Sequence, residues 1–169
     1  MLQIAHKMKE LSFGALMEIY RESNEENAED FWPHEPPERR MALAEQDFYD
    51  YLSQTFFRAS GAFYGLWEAN GNYVSALRME PYQDGFLLSA LETAPEHRRK
   101  GYARKLILAV LGEMGSVKIY SHVSKRNFAS IRVHEDCGFQ KVLDHAVYAD
   151  GSVLSNSVTF LKENKKQQG

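Results

Sequence analysis

The stretch Arg98-Arg99-Lys100-Gly101-Tyr102-Ala103 places three cations, a glycine and a small residue between an apolar run at 86–91 and an amphipathic run at 106–114. Where a strand turns sharply into a helix, the first backbone N–H groups of the helix lack internal partners. With the positive end of the helix dipole, they point into the turn. A phosphate group suits such a cradle. Gly101 admits φ > 0 and a close backbone approach, Ala103 keeps the next exposed position small, and the cations add long-range attraction. No glycine-rich run followed by Lys and Ser or Thr occurs, and no GxGxxG opens a helix. The loops that hold nucleoside triphosphates and dinucleotides therefore lose their main support.

Arg98-x-x-Gly101-x-Ala103 resembles the Q/R-x-x-G-x-G/A pyrophosphate signature of the GNAT superfamily, the N-acetyltransferases that use acetyl-CoA. A second block, Asn127-Phe128-Ala129-Ser130-Ile131-Arg132-Val133-His134-Glu135-Asp136-Cys137-Gly138-Phe139, resembles the family's N-x-x-A-x-x-L-Y-x-x-x-G-F, with His134 where the family usually has tyrosine. The resemblance covers residues 61–161 well and the first 60 by pattern alone. It implies an acetyl group moved from acetyl-CoA to a primary amine of a small molecule or peptide, by direct attack in a ternary complex. A second reading, from another class, is a non-catalytic acyl-CoA-binding sensor or regulatory module, since fold and cradle can persist without turnover.

The resemblance also assigns roles. Backbone N–H groups of Arg99, Lys100, Gly101, Tyr102 and Ala103 wrap the pyrophosphate, and the side chains of Arg98 and Lys100 reach its oxygens. Leu91 and Thr93 offer backbone groups to pantetheine and the thioester oxygen, Asn127 supplies an amide from the opposite wall, and Tyr102 packs over the coenzyme. His134 is the candidate acid for the departing thiolate, since imidazolium and a thiol differ by only about two pKa units. The bland alternative is a histidine that only donates to a backbone carbonyl. Glu92 is the candidate base, Glu80 shares its surroundings, and His122 is open to either reading. Each carboxylate taken singly is more simply a surface group at a strand end. Phe31, Trp32, His34, Glu80 and Tyr148 shape the acceptor pocket. Acidic residues Glu22, Glu25, Glu26, Glu29 and Asp30 would attract a cationic amine, although a charge run more often marks a solvated helix face.

The elements that must position these residues follow from periodicity. Residues 1–8 suit a short first strand. Phe13, Leu16, Met17 and Tyr20 recur at helical spacing, and a polar stretch from 22 to 30 leads into a proline-interrupted aromatic loop at 31–37. Pro37 suits the first turn of a second helix carrying Met41, Ala44, Phe48, Tyr51, Leu52 and Phe56. From Gly61 the period becomes two, with turns at Asn70-Gly71 and Asp84-Gly85 dividing a three-stranded meander. The cradle helix, a fifth strand at 117–123, the Asn127 helix capped by Gly138, and two strands at 141–148 and 153–161 complete the chain. Element order gives a mixed α/β (α+β) class. The resemblance specifies the GNAT acyl-CoA N-acyltransferase fold, with a mostly antiparallel central sheet splayed between strands four and five and flanked by helices. Residues 1–161 form one domain in this reading, and 162–169 a polar tail.

At 169 residues the chain suits one hydrophobic core. With 44% hydrophobic, 25% charged and 12% aromatic residues it reads as globular rather than disordered. A net charge of −3 offers no global field for nucleic acid. Cys137, the sole cysteine, has no partner for an internal disulfide and reads as a small packed side chain. No metal-ligand spacing, signal-like leader or membrane-length apolar run occurs. A cytoplasmic enzyme without nucleic-acid, membrane or metal partners is the expectation, and a homodimer is allowed.

Overall fold

The computed structural model describes residues 1–166. In chain order it contains β1 (Leu2–Ala5), α1 (Phe13–Ile19), α2 (Arg21–Phe31), α3 (Pro37–Gln54), β2 (Phe63–Ala69), β3 (Asn72–Tyr82), β4 (Gly85–Thr93), α4 (Tyr102–Glu113), β5 (Val117–Ser124), α5 (Phe128–Asp136), β6 (Gln140–Leu143), β7 (Ala146–Val147), β8 (Val153–Leu154) and β9 (Ser157–Asn164). Seven strands form one sheet in the order β1-β2-β3-β4-β5-β9-β6, and β7 and β8 form a separate ribbon. Every neighbouring pair is antiparallel except β4–β5.

Strand alternation sends successive residues to opposite faces, so each face buries its own core. Leu77, Met79, Leu88, Ile119 and Val123 pack with Leu106, Ile107, Val110 and Leu111 of α4. Ala5, Tyr64, Leu66 and Ala76 pack on the other face with Leu16, Ile19 and Tyr20 near α1, and with Leu52 and Phe56 at the end of α3. Each fully buried aliphatic side chain contributes roughly 1.5–3 kcal/mol, which fixes α4 against the sheet and sets where its first turn lies.

The parallel pair is short, running from Phe86↔Ile119 to Leu88↔Ser121, after which the two strands separate. Their close start needs Gly85, because a Cβ there would lie 2.0 Å from the Lys118 carbonyl oxygen. The splayed, mostly antiparallel sheet matches the fold that the sequence motifs imply.

Three local expectations are corrected. The polar stretch 22–30 is helix α2 rather than a connection, with only Asn24 and Ala28 buried. Its Glu and Ala residues favour helix, yet it has no apolar stripe to reveal the period. The strand expected over 141–148 divides at Asp144, which faces Lys125 and Lys141. Its second part leaves the main sheet to pair with β8. Lys162 to Asn164 belong to β9 rather than to a tail, and the Asn164 amide donates to the carbonyls of Leu111, Met114 and Gly115, closing the C-terminal end of α4. Of the rest of the expected tail, Lys165 and Lys166 follow the strand without regular structure, and 167–169 lies outside the described residues.

Candidate active site

The edge of β4 is shaped by a bulge. Pairing with β3 passes from Arg78↔Ser89 to Ala76↔Glu92, so Ala90 and Leu91 together oppose Leu77. Ala90 takes up the extra residue with φ 50°, in the left-handed region. Its carbonyl accepts the Tyr20 hydroxyl at 2.6 Å, and Tyr20 in turn accepts the Tyr64 hydroxyl at 3.1 Å. Burial raises both phenol pKa values, Tyr64 to about 12, so both keep their protons. The bulge therefore interrupts one ladder of β4 close to the point where β5 has left the other. Beyond Leu88 the β5-facing edge of β4 has no strand partner among the described residues, which leaves its backbone polar groups for a ligand to meet.

The fork encloses a cleft of about 170 Å³, walled by residues 88–91 of β4 and 121–124 of β5 and closed by Asn127, Ser130 and His134. Asn127 caps α5, its Oδ1 accepting the Ser130 N–H at 3.1 Å, which leaves its amide N–H groups uncommitted to the cap. His134 is 1% exposed, lying edge-on to Phe139 and stacked on Phe160. Its Nδ1 lies 2.7 Å from the Ser130 carbonyl oxygen, a contact made only with Nδ1 protonated. Nε2 then accepts the Ser121 hydroxyl at 2.8 Å. Burial holds the imidazole pKa below its ordinary value, only partly offset by the Ser130 carbonyl. At neutral pH His134 is a neutral acceptor toward the cleft, so the imidazolium expected as proton donor is disfavoured.

Alternation on β5 turns His122 to the opposite face from Ser121. There its ring lies 5.6 Å from that of Tyr82 and 5.4 Å from that of Tyr148, both edge-on. Burial lowers the His122 pKa as well.

The cradle lies at the start of α4. Arg99 and Gly101 both have positive φ, 63° and 78°, and no side chain caps the helix at Gly101. A Cβ on Gly101 would meet nothing within 4 Å, so open space adjoins the start of the helix, whose first-turn N–H groups at Tyr102 and Ala103 lack helical partners. This suits a pyrophosphate. The Arg98 side chain is turned toward the Thr93 carbonyl, at 3.3 Å from Nε, and toward Glu22, at 2.8 Å. Lys100 donates to the Glu96 carbonyl at 3.3 Å. All three contacts are exposed and cheap to exchange for a phosphate oxygen. Tyr102 lies edge-on to His97.

Of the residues singled out in the sequence, the cleft gathers Leu91, Asn127, His134 and His122. Thr93 stands further along β4, its hydroxyl 3.0 Å from that of Ser75. Glu92 is not in the cleft wall. It lies on the α2 side, where burial raises its pKa, Ser23 and Arg98 oppose the rise, and Glu22 and Glu26 add to it. Its Oε2 is buried without a hydrogen-bond partner among the described residues. Glu80 pairs with Leu87 across the β3–β4 ladder, outside the cleft. Phe31 and Trp32 stand at the end of α2 with rings 5.9 Å apart and Phe31 73% exposed, and neither lines the cleft. Tyr148 reaches the site through His122. Sequence reasoning missed Ser121, Ser130, Tyr20 and Tyr64. The first two were findable, because Ser121 and Ser130 fall on the strand and helix faces that meet at His134.

The family model described as the acetyltransferase (GNAT) family matches residues 14–139 of the chain. A spermidine N(1)-acetyltransferase of Vibrio cholerae serotype O1 is 30% identical over 142 residues, spanning 78% of this chain and 77% of its own. Among solved structures, that of spermidine N-acetyltransferase from Vibrio cholerae in complex with CoA and spermine superposes with TM-score 0.59 at 20% identity, covering 96% of this chain and 95% of the other. PaiA N-acetyltransferase from Thermoplasma acidophilum in complex with coenzyme A superposes with TM-score 0.63 at 13% identity, covering 96% and 99%. At these identities the structures speak for the fold.

Proposed function

The chain belongs to the acetyltransferase (GNAT) family and is an acetyl-CoA-dependent N-acetyltransferase, and from that premise we propose that it acetylates a primary amine of a small molecule or peptide by direct attack in a ternary complex. The observation that carries this reading is the fork between β4 and β5, bulged at Ala90 and continuous with the uncapped first turn of α4. A thioester arm laid along β4 from that turn brings its carbonyl to the widening of the sheet. An amine can approach it there from the other face.

In this reading the N–H groups from Arg99 to Ala103 hold the pyrophosphate, and Arg98 and Lys100 exchange their surface contacts for its oxygens. Leu91, freed by the bulge, presents backbone to pantetheine and the thioester oxygen, with Asn127 across from it. Thr93 serves the arm nearer the pyrophosphate. Donors aimed at a developing oxyanion contribute about 2.7–4 kcal/mol each where measured in other enzymes. His134 acts as a fixed polar wall beside the sulfur rather than as a standing acid. A thiolate with pKa near 8.5 leaves and takes its proton from solvent. Glu92, with Glu22 and Glu26, makes a negative patch on the α2 side that draws in a cationic acceptor. Phe31, Trp32 and Glu80 line its outer approach. The Vibrio relative is named for spermidine, which makes a polyamine the first acceptor to test.

Calorimetry with acetyl-CoA and a thiol-release assay with spermidine, putrescine and a lysine peptide test the proposal. Acetyl-CoA at 100 times Kd should add about 2.7 kcal/mol of stability, and at least one amine should release coenzyme A. Tight acetyl-CoA binding with no release from any amine would favour a sensor module instead.

A further inference from the structure

On the face of β5 opposite His134, four rings follow one another. Tyr120 and Tyr82 lie 5.3 Å apart edge to face, Tyr82 and His122 5.6 Å, and His122 and Tyr148 5.4 Å. His122 lines the cleft at the fork, so this wall runs up to the place where the thioester carbonyl must lie. The hydrogen-bond inventory sets the state of its imidazole. The single Tyr82 proton goes to the Val147 carbonyl, and Gln83 donates to the Tyr82 oxygen at 3.1 Å. The remaining contact, 3.5 Å from the Tyr82 oxygen to His122 Nε2, can then be made only with Nε2 as donor. That tautomer leaves the lone pair on Nδ1, which has no hydrogen-bond partner among the described residues.

The wall offers a cation π faces, with Glu80 two residues before Tyr82 on the same face of β3. Two other acids as near in the chain are engaged elsewhere, Asp84 by the Tyr120 hydroxyl at 2.5 Å and by Lys118 at 2.9 Å, and Asp150 by Ser152. Aromatic faces attract ammonium groups without fixing them as tightly as a carboxylate would, and release them once they are neutral.

We infer that His122 is the base of the transfer reaction, through Nδ1, and that Tyr82, Tyr120 and Tyr148 beside it form the subsite for a primary alkylammonium acceptor. The inference rests on the acetyl transfer proposed above. The ammonium sheds one proton to solvent at the subsite, and the resulting amine attacks the thioester carbon. The new C–N bond makes the nitrogen acidic, and its surplus proton passes to Nδ1. The C–S bond breaks with its electron pair on sulfur, solvent protonates the thiolate, and His122 returns its proton to solvent. Burial keeps the imidazole neutral and ready at pH 7.

The test uses the full chain with spermidine, putrescine and a lysine peptide. Isothermal calorimetry reports acetyl-CoA binding independently of turnover. His122→Gln and His122→Ala should each bind acetyl-CoA within about twofold of wild type while kcat for the best acceptor falls about 10²-fold or more. Added imidazole should restore part of the His122→Ala rate and none of the His122→Gln rate. Tyr148→Ala should raise KM for the amine with little change in kcat. Turnover of His122→Gln at the wild-type kcat overturns the inference and leaves acetyl transfer standing, as does a loss seen only in acetyl-CoA binding. Wild-type protein that binds acetyl-CoA but acetylates none of the amines overturns both.

Discussion

The Tyr20 hydroxyl, on the first residue after α1, donates to the carbonyl of Ala90 at 2.6 Å, tying a helix end to the bulge seventy residues later in β4. Ala90 is held in a left-handed conformation that is costly for a residue with a Cβ, and it persists only where its surroundings determine it. Tyr20 supplies that constraint, and Tyr64 fixes Tyr20. The core packed by α1 and α3 thus shapes the strand edge proposed to hold the donor.

Tyr20→Phe should therefore affect more than stability. Losing the hydroxyl should cost about 1–2 kcal/mol in unfolding experiments and lower kcat/KM for acetyl-CoA about tenfold, equivalent to about 1.4 kcal/mol. Tyr64→Phe, which removes a hydroxyl bonded to Tyr20 and leaves the bond from Tyr20 to Ala90 in place, should show the stability loss with a smaller kinetic change. Unaltered kinetics in Tyr20→Phe would mean that the bulge holds its shape unaided.

Gly101→Val probes the cradle. Its Cβ would meet no protein atom within 4 Å, so the cost to the fold is the positive φ alone, about 1–2 kcal/mol. The side chain would project into the concavity where the pyrophosphate is proposed to sit. Acetyl-CoA affinity measured by calorimetry should fall by well over tenfold, and a variant that binds as wild type would move the cradle elsewhere.

His134 separates an acid from a wall. His134→Gln keeps a polar group opposite Ser121, and kcat should change by less than tenfold. Removing a working general acid would cost about 10²-fold or more, so a loss of that size would restore the acid role. His134→Ala should unfold more readily by about 3 kcal/mol, because it opens space between Phe139 and Phe160 and orphans the buried Ser121 hydroxyl.

Stability should decline on mild acidification. Burial lowers the pKa of both His134 and His122 below the ordinary 6.5. Below that value the unfolded chain binds protons that the folded chain still refuses, so unfolding takes up protons and acid favours it. The contribution is intact above 6.5 and is lost as pH falls from there toward the lowered folded values. Glu92 acts in the opposite sense at lower pH. Its raised pKa lets the folded state bind a proton first, which restores some stability as pH approaches 4.5. Denaturant titrations from pH 7.5 to 5 should show the decline, and His134→Gln should flatten it. An equal slope in wild type and variant would place the proton uptake in other groups.

Element order, the cradle around Gly101 and the α5 block were legible in the chain because each depends on neighbours close in sequence. Period-two and period-3.6 patterns, turn pairs and a helix start are local chemistry, and the family resemblance extended them to a sheet order. Helix α2 escaped because its face is polar throughout, and β6–β7 because a charged corner at Asp144 interrupts an otherwise continuous pattern. The states of the site residues depended on contacts across the fold. His134 could be named from its motif, but its neutrality follows from Phe139, Phe160, Ser121 and the Ser130 carbonyl closing around it. Glu92 could be placed on the fourth strand, but a bulge, unmarked in the sequence, sets which face it takes. Local sequence dictates which hydrogen bonds a segment makes with itself. Register, burial and protonation come from partners that only the folded chain brings within a few ångströms.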